Sequence, residues 1–289
     1  MSGGWQGGDY TAAGDAWAHA ADDVTASALA ELDSSPDPPA PRVLDVGTGS
    51  GPAALAAARA GARVVGLDRE PGLLHIASDR ARRAGGLAET ARFVAGDALA
   101  LPFAADSFDL VLSTFGVMFA PEPGRAAAEL VRVCRPGGLL AIASWTPDGV
   151  MGRIAPTVLR HLDHPTDTPS PPTRWGDPGH VRTWFAPLPV AVRTEVEHVR
   201  VGYTSVAHAV SVFQNKPGPL REHRTALEAA GRWDRARTAL TDLFHTHNRA
   251  TDGSLLLHAP YLLLLGRVAR RPSQEPGSGI TKQTLPGPG

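Results

Sequence analysis

The sequence predicts an α/β fold, a parallel sheet covered by helices, and three observations predict it. Between Arg42 and Trp145, short β-branched or leucine-rich runs alternate with alanine-rich stretches of helical character, as expected of strands that crossover helices bury on both faces. A glycine-rich turn, "GTGSG" from Gly47 to Gly51, closes the first run and leads into the first helical stretch. Three acids, Asp45, Asp68 and Asp97, fall at the ends of three successive runs, where open sheets of this kind receive ligands.

Each element follows in order. "RVLDV" is the first strand, and Pro52 to Ala60 the first helix, with proline tolerated in its first turn. "RVVGLD" is the second strand, followed by a helix from about Pro71 to Ala84 that Gly85 and Gly86 stop. "ARFVAGD" is the third strand, "FDLVLSTF" the fourth and "GLLAIASW" the fifth, the last two separated by a helix near Gly124 to Cys134. Beyond Trp145 prolines recur, and "DHPTDTPSPPTRWGDPGH" is too irregular for a packed element; a loop or lid over a site is expected between Pro147 and Pro189, with Trp175 and Trp184 favouring docking over disorder. Alternation predicts a strand over Val190 to Tyr203, and helical spacing predicts helices over Ser205 to Asn215, Arg221 to Gly231 and Trp233 to His247. "LLLHAPYLLLLG", too short to span a bilayer, is a buried strand running to about Val268, and the Gly/Pro/Ser-rich tail over 271–289 reads as disordered.

Composition limits the partners. A chain of 289 residues with 43% hydrophobic residues supplies one substantial core, and a net charge of -1 offers no general attraction to nucleic acid or anionic membranes. The single cysteine, Cys134, excludes an internal disulfide and is expected in the core, and no Cys/His cluster has metal-ligand spacing, so no metal is expected. The N-terminus lacks the basic start and apolar run of a secretory signal, which points to a cytoplasmic protein, a monomer or homodimer acting on a small molecule.

The spacing of the glycines selects among ligands. Counted from Gly47 the turn reads G-x-G-x-G, with Pro52 where a dinucleotide fingerprint needs its third glycine. Asp45 would also repel a pyrophosphate, whereas it suits a ligand bearing an ammonium or sulfonium; capping of the turn by Asp45 is compatible with that contact. At the next strand end Asp68 is placed to accept both hydroxyls of a ribose, and Asp97 to accept from an adenine amino group beside Ala98 and Leu99.

These residues, in this order, resemble a known family. "VLDVGTGSG", "VVGLD", "AGDALALPF", "SFDLVLSTFGVMF" and "LVRVCRPGGLLAIASW" together are similar to the ordered motifs of class I S-adenosylmethionine-dependent methyltransferases, over roughly Arg42 to Trp145. The resemblance implies a Rossmann-like, seven-stranded, mostly parallel sheet with an antiparallel last strand, helices on both faces and a helical or loop lid. It implies a cofactor-binding core over 42–146, preceded by a helical cap segment over 1–41. A substrate-binding lid with the sixth strand would follow over 147–254, and the final strand over 255–270. It further implies that Asp45, Gly47, Thr48 and Gly49 surround the methionine and ribose portions of S-adenosyl-L-methionine, and that Asp68 and Arg69 lie at the ribose. Asp97 and Ala98 would hold the adenine, Ser113 and Phe115 would lie near the methyl group, and Tyr10 would close on the methionine end. S-adenosyl-L-homocysteine would be the product.

The acceptor side is less legible. Transfer from a sulfonium needs mainly alignment in a dry cavity, and a base only where the acceptor loses a proton. His223, His245 and His247 are candidate bases, each with a structural or solvent-facing alternative; Phe115, Met118, Trp145, Trp175 and Phe213 are candidate lining residues. The fourth strand ends in "STFG" rather than a base-flipping Asn/Asp-Pro-Pro-aromatic motif, and one cysteine is too few for arsenic methylation. An O, N or C atom of a small, quinone-like or secondary-metabolite acceptor remains, with a non-methylating cyclase or hydroxylase on the same scaffold as the alternative.

Overall fold

The computed structural model describes residues 18–32, 39–162, 171–215 and 219–270. A helix, α1 (Ala18–Glu31), leads into β1 (Arg42–Val46), α2 (Pro52–Arg59), β2 (Arg63–Asp68), α3 (Pro71–Arg83), the single turn α4 (Leu87–Thr90) and β3 (Ala91–Ala95). After a loop come β4 (Phe108–Thr114), a 3₁₀ turn (Val117–Phe119), α5 (Pro123–Val133) and β5 (Cys134–Trp145). These boundaries lie within a few residues of those the alternation predicts, because strands buried on both faces read as continuous apolar runs. Cys134 is fully buried, and burial pushes its thiol up to about 12.

The seven strands run in the order β3-β2-β1-β4-β5-β7-β6, with β6 (Val190–Tyr203) and β7 (Leu255–Val268) completing the sheet. The first five are parallel, and β7 is antiparallel to both of its neighbours. From β1 the chain winds outward to β3, then returns to place β4 on the other side of β1. That reversal opens a crevice at the carboxyl ends of β1 and β4, the place where such sheets bind ligands.

One feature of the register shapes that edge. Trp145 at the end of β5 stands opposite Tyr261, which stands opposite Glu197, whereas β6 and β7 remain paired as far as Tyr203 and Leu255. The two-stranded ribbon therefore projects beyond the carboxyl edge of β5 by the run from Tyr261 to Leu255, about 20 Å at ~3.3 Å per residue. Between its strands lie α8 (Val206–Asn215), the short α9 (Pro219–Glu222) and α10 (Arg224–Ala229), and α11 (Trp233–His247). They pack on the ribbon and on α6 (Val150–Leu159) through Val206, Phe213, Leu220, Leu240 and Phe244.

The proline-rich stretch departs from expectation. Instead of an unpacked loop it holds α6, a 3₁₀ turn (Pro172–Gly176) and α7 (Pro178–Phe185), with Trp175 and Phe185 almost fully buried. Pro178 is the first residue of α7, where a helix tolerates proline, and Asp177 caps that helix by accepting from the Gly179 and His180 amides at 2.7 and 3.2 Å, whereas Pro156 lies inside α6. The predicted helix from Arg221 to Gly231 is broken at His223 into α9 and α10.

Candidate functional site

The glycine turn is tied to β2, since the Gly47 and Thr48 amides both donate to the Leu67 carbonyl, at 2.8 and 2.9 Å. Asp45, at the end of β1, is 1% exposed. Its Oδ2 accepts from Thr48 Oγ1 at 2.6 Å and from the Ala54 amide in the first turn of α2 at 3.1 Å. Its Oδ1 is buried without a partner among the described residues. Burial raises its pKa to about 6, the Thr48 and Ala54 bonds offset part of the shift, and the charge of Asp68 adds to it.

Asp68 is half-buried at the end of β2 and pulls two loops together. Its Oδ2 accepts from the Gly49 amide at 2.8 Å, and its Oδ1 from the Glu70 amide at 3.0 Å. Burial holds its pKa above the ordinary value, against the lowering effect of those amides, the Arg69 amide and the Arg69 charge. A carboxylate carries about four acceptor positions, so the amides around Asp68 leave it capacity for a ligand hydroxyl. Arg69 itself is exposed. Asp97 lies in the turn after β3, where its Oδ1 accepts from the Leu99 amide at 2.9 Å, with Ala98 half-buried between them.

Across the crevice, β4 ends in an unusual turn. Ser113 Oγ donates to the Val46 carbonyl at 2.6 Å and accepts from the Val117 amide at 2.8 Å, with no exposed surface. Its hydroxyl thus joins β4 to β1 and to the following turn. Phe115 adopts φ +58°, a left-handed conformation that a bulky residue holds only when its surroundings dictate it. Its ring stacks on Trp145, 3.7 Å between centroids, and meets Tyr261 edge-on at 5.7 Å. Gly116, which sequence reasoning missed, lies against Gly47: a Cβ on Gly116 would stand 2.5 Å from the Gly47 carbonyl oxygen, and one on Gly47 2.6 Å from the Gly116 Cα. The only signal for it was the glycine that ends "STFG".

The structure brings together Asp45, Gly47, Thr48, Gly49 and Asp68, keeps Asp97 beside them through the Gly96 amide, which donates to the Asp68 carbonyl at 3.0 Å, sets Phe115 on Trp145, and holds Phe213 and the histidines elsewhere. Met118 and Trp175 are core residues, 3% and 2% exposed, and Trp175 packs on Trp184 and Phe185. Phe213 packs with Tyr203 and Phe244 at the far end of the ribbon, apart from the Phe115 and Trp145 pair. His223 is half-buried before α10, and His247 Nδ1 lies 2.9 Å from the Leu243 carbonyl, a local bond within α11. Exposed His245 lines a cavity of about 690 Å³ between α8, α11 and the 248–254 loop, with Gln214 and Arg237. Tyr10 lies outside the described residues. Among the described residues no group of three His, Cys, Asp or Glu is placed to hold a metal, and no helix is long and apolar enough to cross a membrane.

A family model described as a methyltransferase domain matches residues 44–142, the stretch that carries Asp45, Asp68, Asp97 and Phe115. Over these residues the chain is similar to methyltransferase domains, in line with the resemblance that its ordered motifs carry. An uncharacterized protein of Mycobacterium tuberculosis is 40% identical over 185 residues, which is 64% of this chain and 66% of that protein. The match to this relative thus spans just under two thirds of its length. A demethylmenaquinone methyltransferase of Renibacterium salmoninarum is 43% identical over 108 residues, 37% of this chain and 43% of that enzyme. Among solved structures, a putative methyltransferase from Bacillus halodurans has a TM-score of 0.58 at 17% identity and covers 86% of this chain and 98% of its own, a likeness of fold alone.

Proposed function

We propose that this protein transfers the methyl group of S-adenosyl-L-methionine to an O, N or C atom of a small organic acceptor of quinone-like or secondary-metabolite type, releasing S-adenosyl-L-homocysteine. The observation that carries the reading is the pair of acids on the glycine turn. Asp45 buries an oxygen with no partner, and a buried carboxylate oxygen left so is costly unless a cation or donor meets it. Asp68 keeps acceptor capacity beyond its backbone bonds, which suits a ribose hydroxyl. The residues present therefore fit an adenosyl group carrying positive charge, with Asp97 and Ala98 at the adenine.

The bound cofactor supplies an electrophilic methyl group whose sulfur becomes neutral as it leaves. The protein has to align the acceptor and exclude water, and the Phe115, Trp145 and Tyr261 rings at the end of β4 and β5 are suited to both. The demethylmenaquinone methyltransferase similarity supports a ring-bearing acceptor, and the ribbon with its helices is the element that would select it.

Calorimetric titration with S-adenosyl-L-homocysteine tests the reading. Saturable binding is expected, weakened at least about tenfold by Asp68→Ala, since a charge-assisted hydrogen bond contributes ~1.5–3 kcal/mol. Absence of binding, or binding indifferent to Asp68, would overturn it.

A further inference from the structure

We propose that the cavity between α1, α2 and α3 is a second ligand site, for a soluble phosphate-bearing anion. The cavity measures about 450 Å³, in the range of small-ligand pockets, and is lined by Ala18 and Asp22 of α1, by Pro52, Leu55 and Arg59 of α2, and by Arg80, Arg83 and Ala84 around the end of α3. Three guanidinium groups against one carboxylate give the lining an excess of two positive charges.

Two of the arginines have no side-chain partner among the described residues, although each stands in the last turn of its helix. Arg59 and Arg83 make no hydrogen bond or ion pair with any described residue, and both are exposed. Arginines in the last turn of a helix complement its dipole, and that accounts for Arg82, which pairs with Asp79 on its own helix. It does not by itself account for arginines from two different helices lining one hollow, where their like charges favour an anion. The planar fork of a guanidinium suits the oxygens of a phosphate, and several such forks around one hollow favour a phosphate over a single carboxylate. A hollow lined from three helices fits a soluble molecule rather than the flat face of a lipid surface.

The third arginine connects this hollow to the methyl-donor half. Arg80 Nη1 donates to Ser50 Oγ of the glycine turn at 3.3 Å. The site is nonetheless separate from the acids of the turn, because neither Asp45 nor Asp68 lines the cavity.

The test is calorimetric titration of the full chain with pyrophosphate at low ionic strength, in the presence and absence of S-adenosyl-L-homocysteine. One saturable site is expected in both conditions. The double variant Arg59→Ala/Arg83→Ala is expected to weaken pyrophosphate at least about tenfold, while Arg82→Ala, which removes the same charge from the neighbouring surface, changes it by less than about twofold. The double variant should bind S-adenosyl-L-homocysteine as the wild type does, so failure of this site and failure of the methyl-donor site are read separately. No saturable binding, equal loss with Arg82→Ala, or binding only to anionic vesicles of phosphatidylglycerol would each overturn the proposal.

Discussion

Asp45 is pulled in two directions by its surroundings. The fold uses its Oδ2 to hold Thr48 and the start of α2, yet burial makes its charge costly and raises its pKa from 3.8 to about 6. Between these values the native protein keeps a proton that the unfolded chain has lost. The stabilising contribution is therefore complete below about pH 4 and disappears as pH rises through about 6, a change of roughly 3 kcal/mol. A cationic ligand at Oδ1 acts in the opposite sense by favouring the carboxylate. Affinity for S-adenosyl-L-homocysteine should thus rise as pH increases through about 6 and then level, with a proton released on binding near and below that pH. Calorimetry in buffers of different ionisation enthalpy reads the proton, and Asp45→Asn, which keeps an oxygen for Thr48 and Ala54, should abolish the step. A step that survives in Asp45→Asn belongs to another group. The charged residues of this site were legible because their chemistry is distinctive. The bridging bonds of Ser113 and the need for Gly116 were not legible, because a buried hydroxyl joining two strands and a glycine demanded by a neighbouring backbone leave no pattern in sequence.

At the scale of elements, the strap from Pro172 to Gly176 anchors the end of β5. A Cβ at Gly176 would lie 2.0 Å from the Trp145 carbonyl oxygen, and one at Gly152 of α6 would lie 2.1 Å from that of Thr146. Both contacts are with backbone, which cannot turn aside as a side chain can. Gly176→Ala should therefore destabilise the protein by roughly 2 kcal/mol and disturb the Phe115 and Trp145 stack above it. Urea unfolding measures the first, and near-ultraviolet circular dichroism the second; a wild-type midpoint would show that the strap is not held there. The strands were readable because β6 and β7 alternate or run apolar over their whole lengths. The segment from 147 to 189 was not, because its prolines and glycines masked the apolar series Val150, Met151, Ile154 and Val158 that α6 turns inward. Proline at a helix start and proline in a loop look alike until the packing is known.

Taken as a whole molecule, the chain consists of a sheet core that holds the glycine turn and a helical layer mounted on a projecting ribbon. Tyr203 and Leu255 face each other at the tip of that ribbon, so everything from 204 to 254 enters and leaves through one hydrogen-bonded pair. Among the described residues, none of the hydrogen-bond partners of the Asp45, Asp68 and Asp97 carboxylates belongs to it. Replacing 204–254 by an Asn-Gly turn, which closes two antiparallel strands without strain, should leave β1 to β5 and their helices folded. The shortened protein should bind S-adenosyl-L-homocysteine within about threefold of the wild type. It should also lose solubility, because Val150, Met151, Ile154 and Val158 of α6 lose cover, and it should no longer methylate any acceptor that the full chain accepts. Retained methylation would place acceptor selection on the sheet edge around Phe115 and Trp145 rather than on the helical layer. Loss of cofactor binding in a folded product would mean that the ribbon and its helices hold the crevice in shape from a distance, since no contact with the acids is removed.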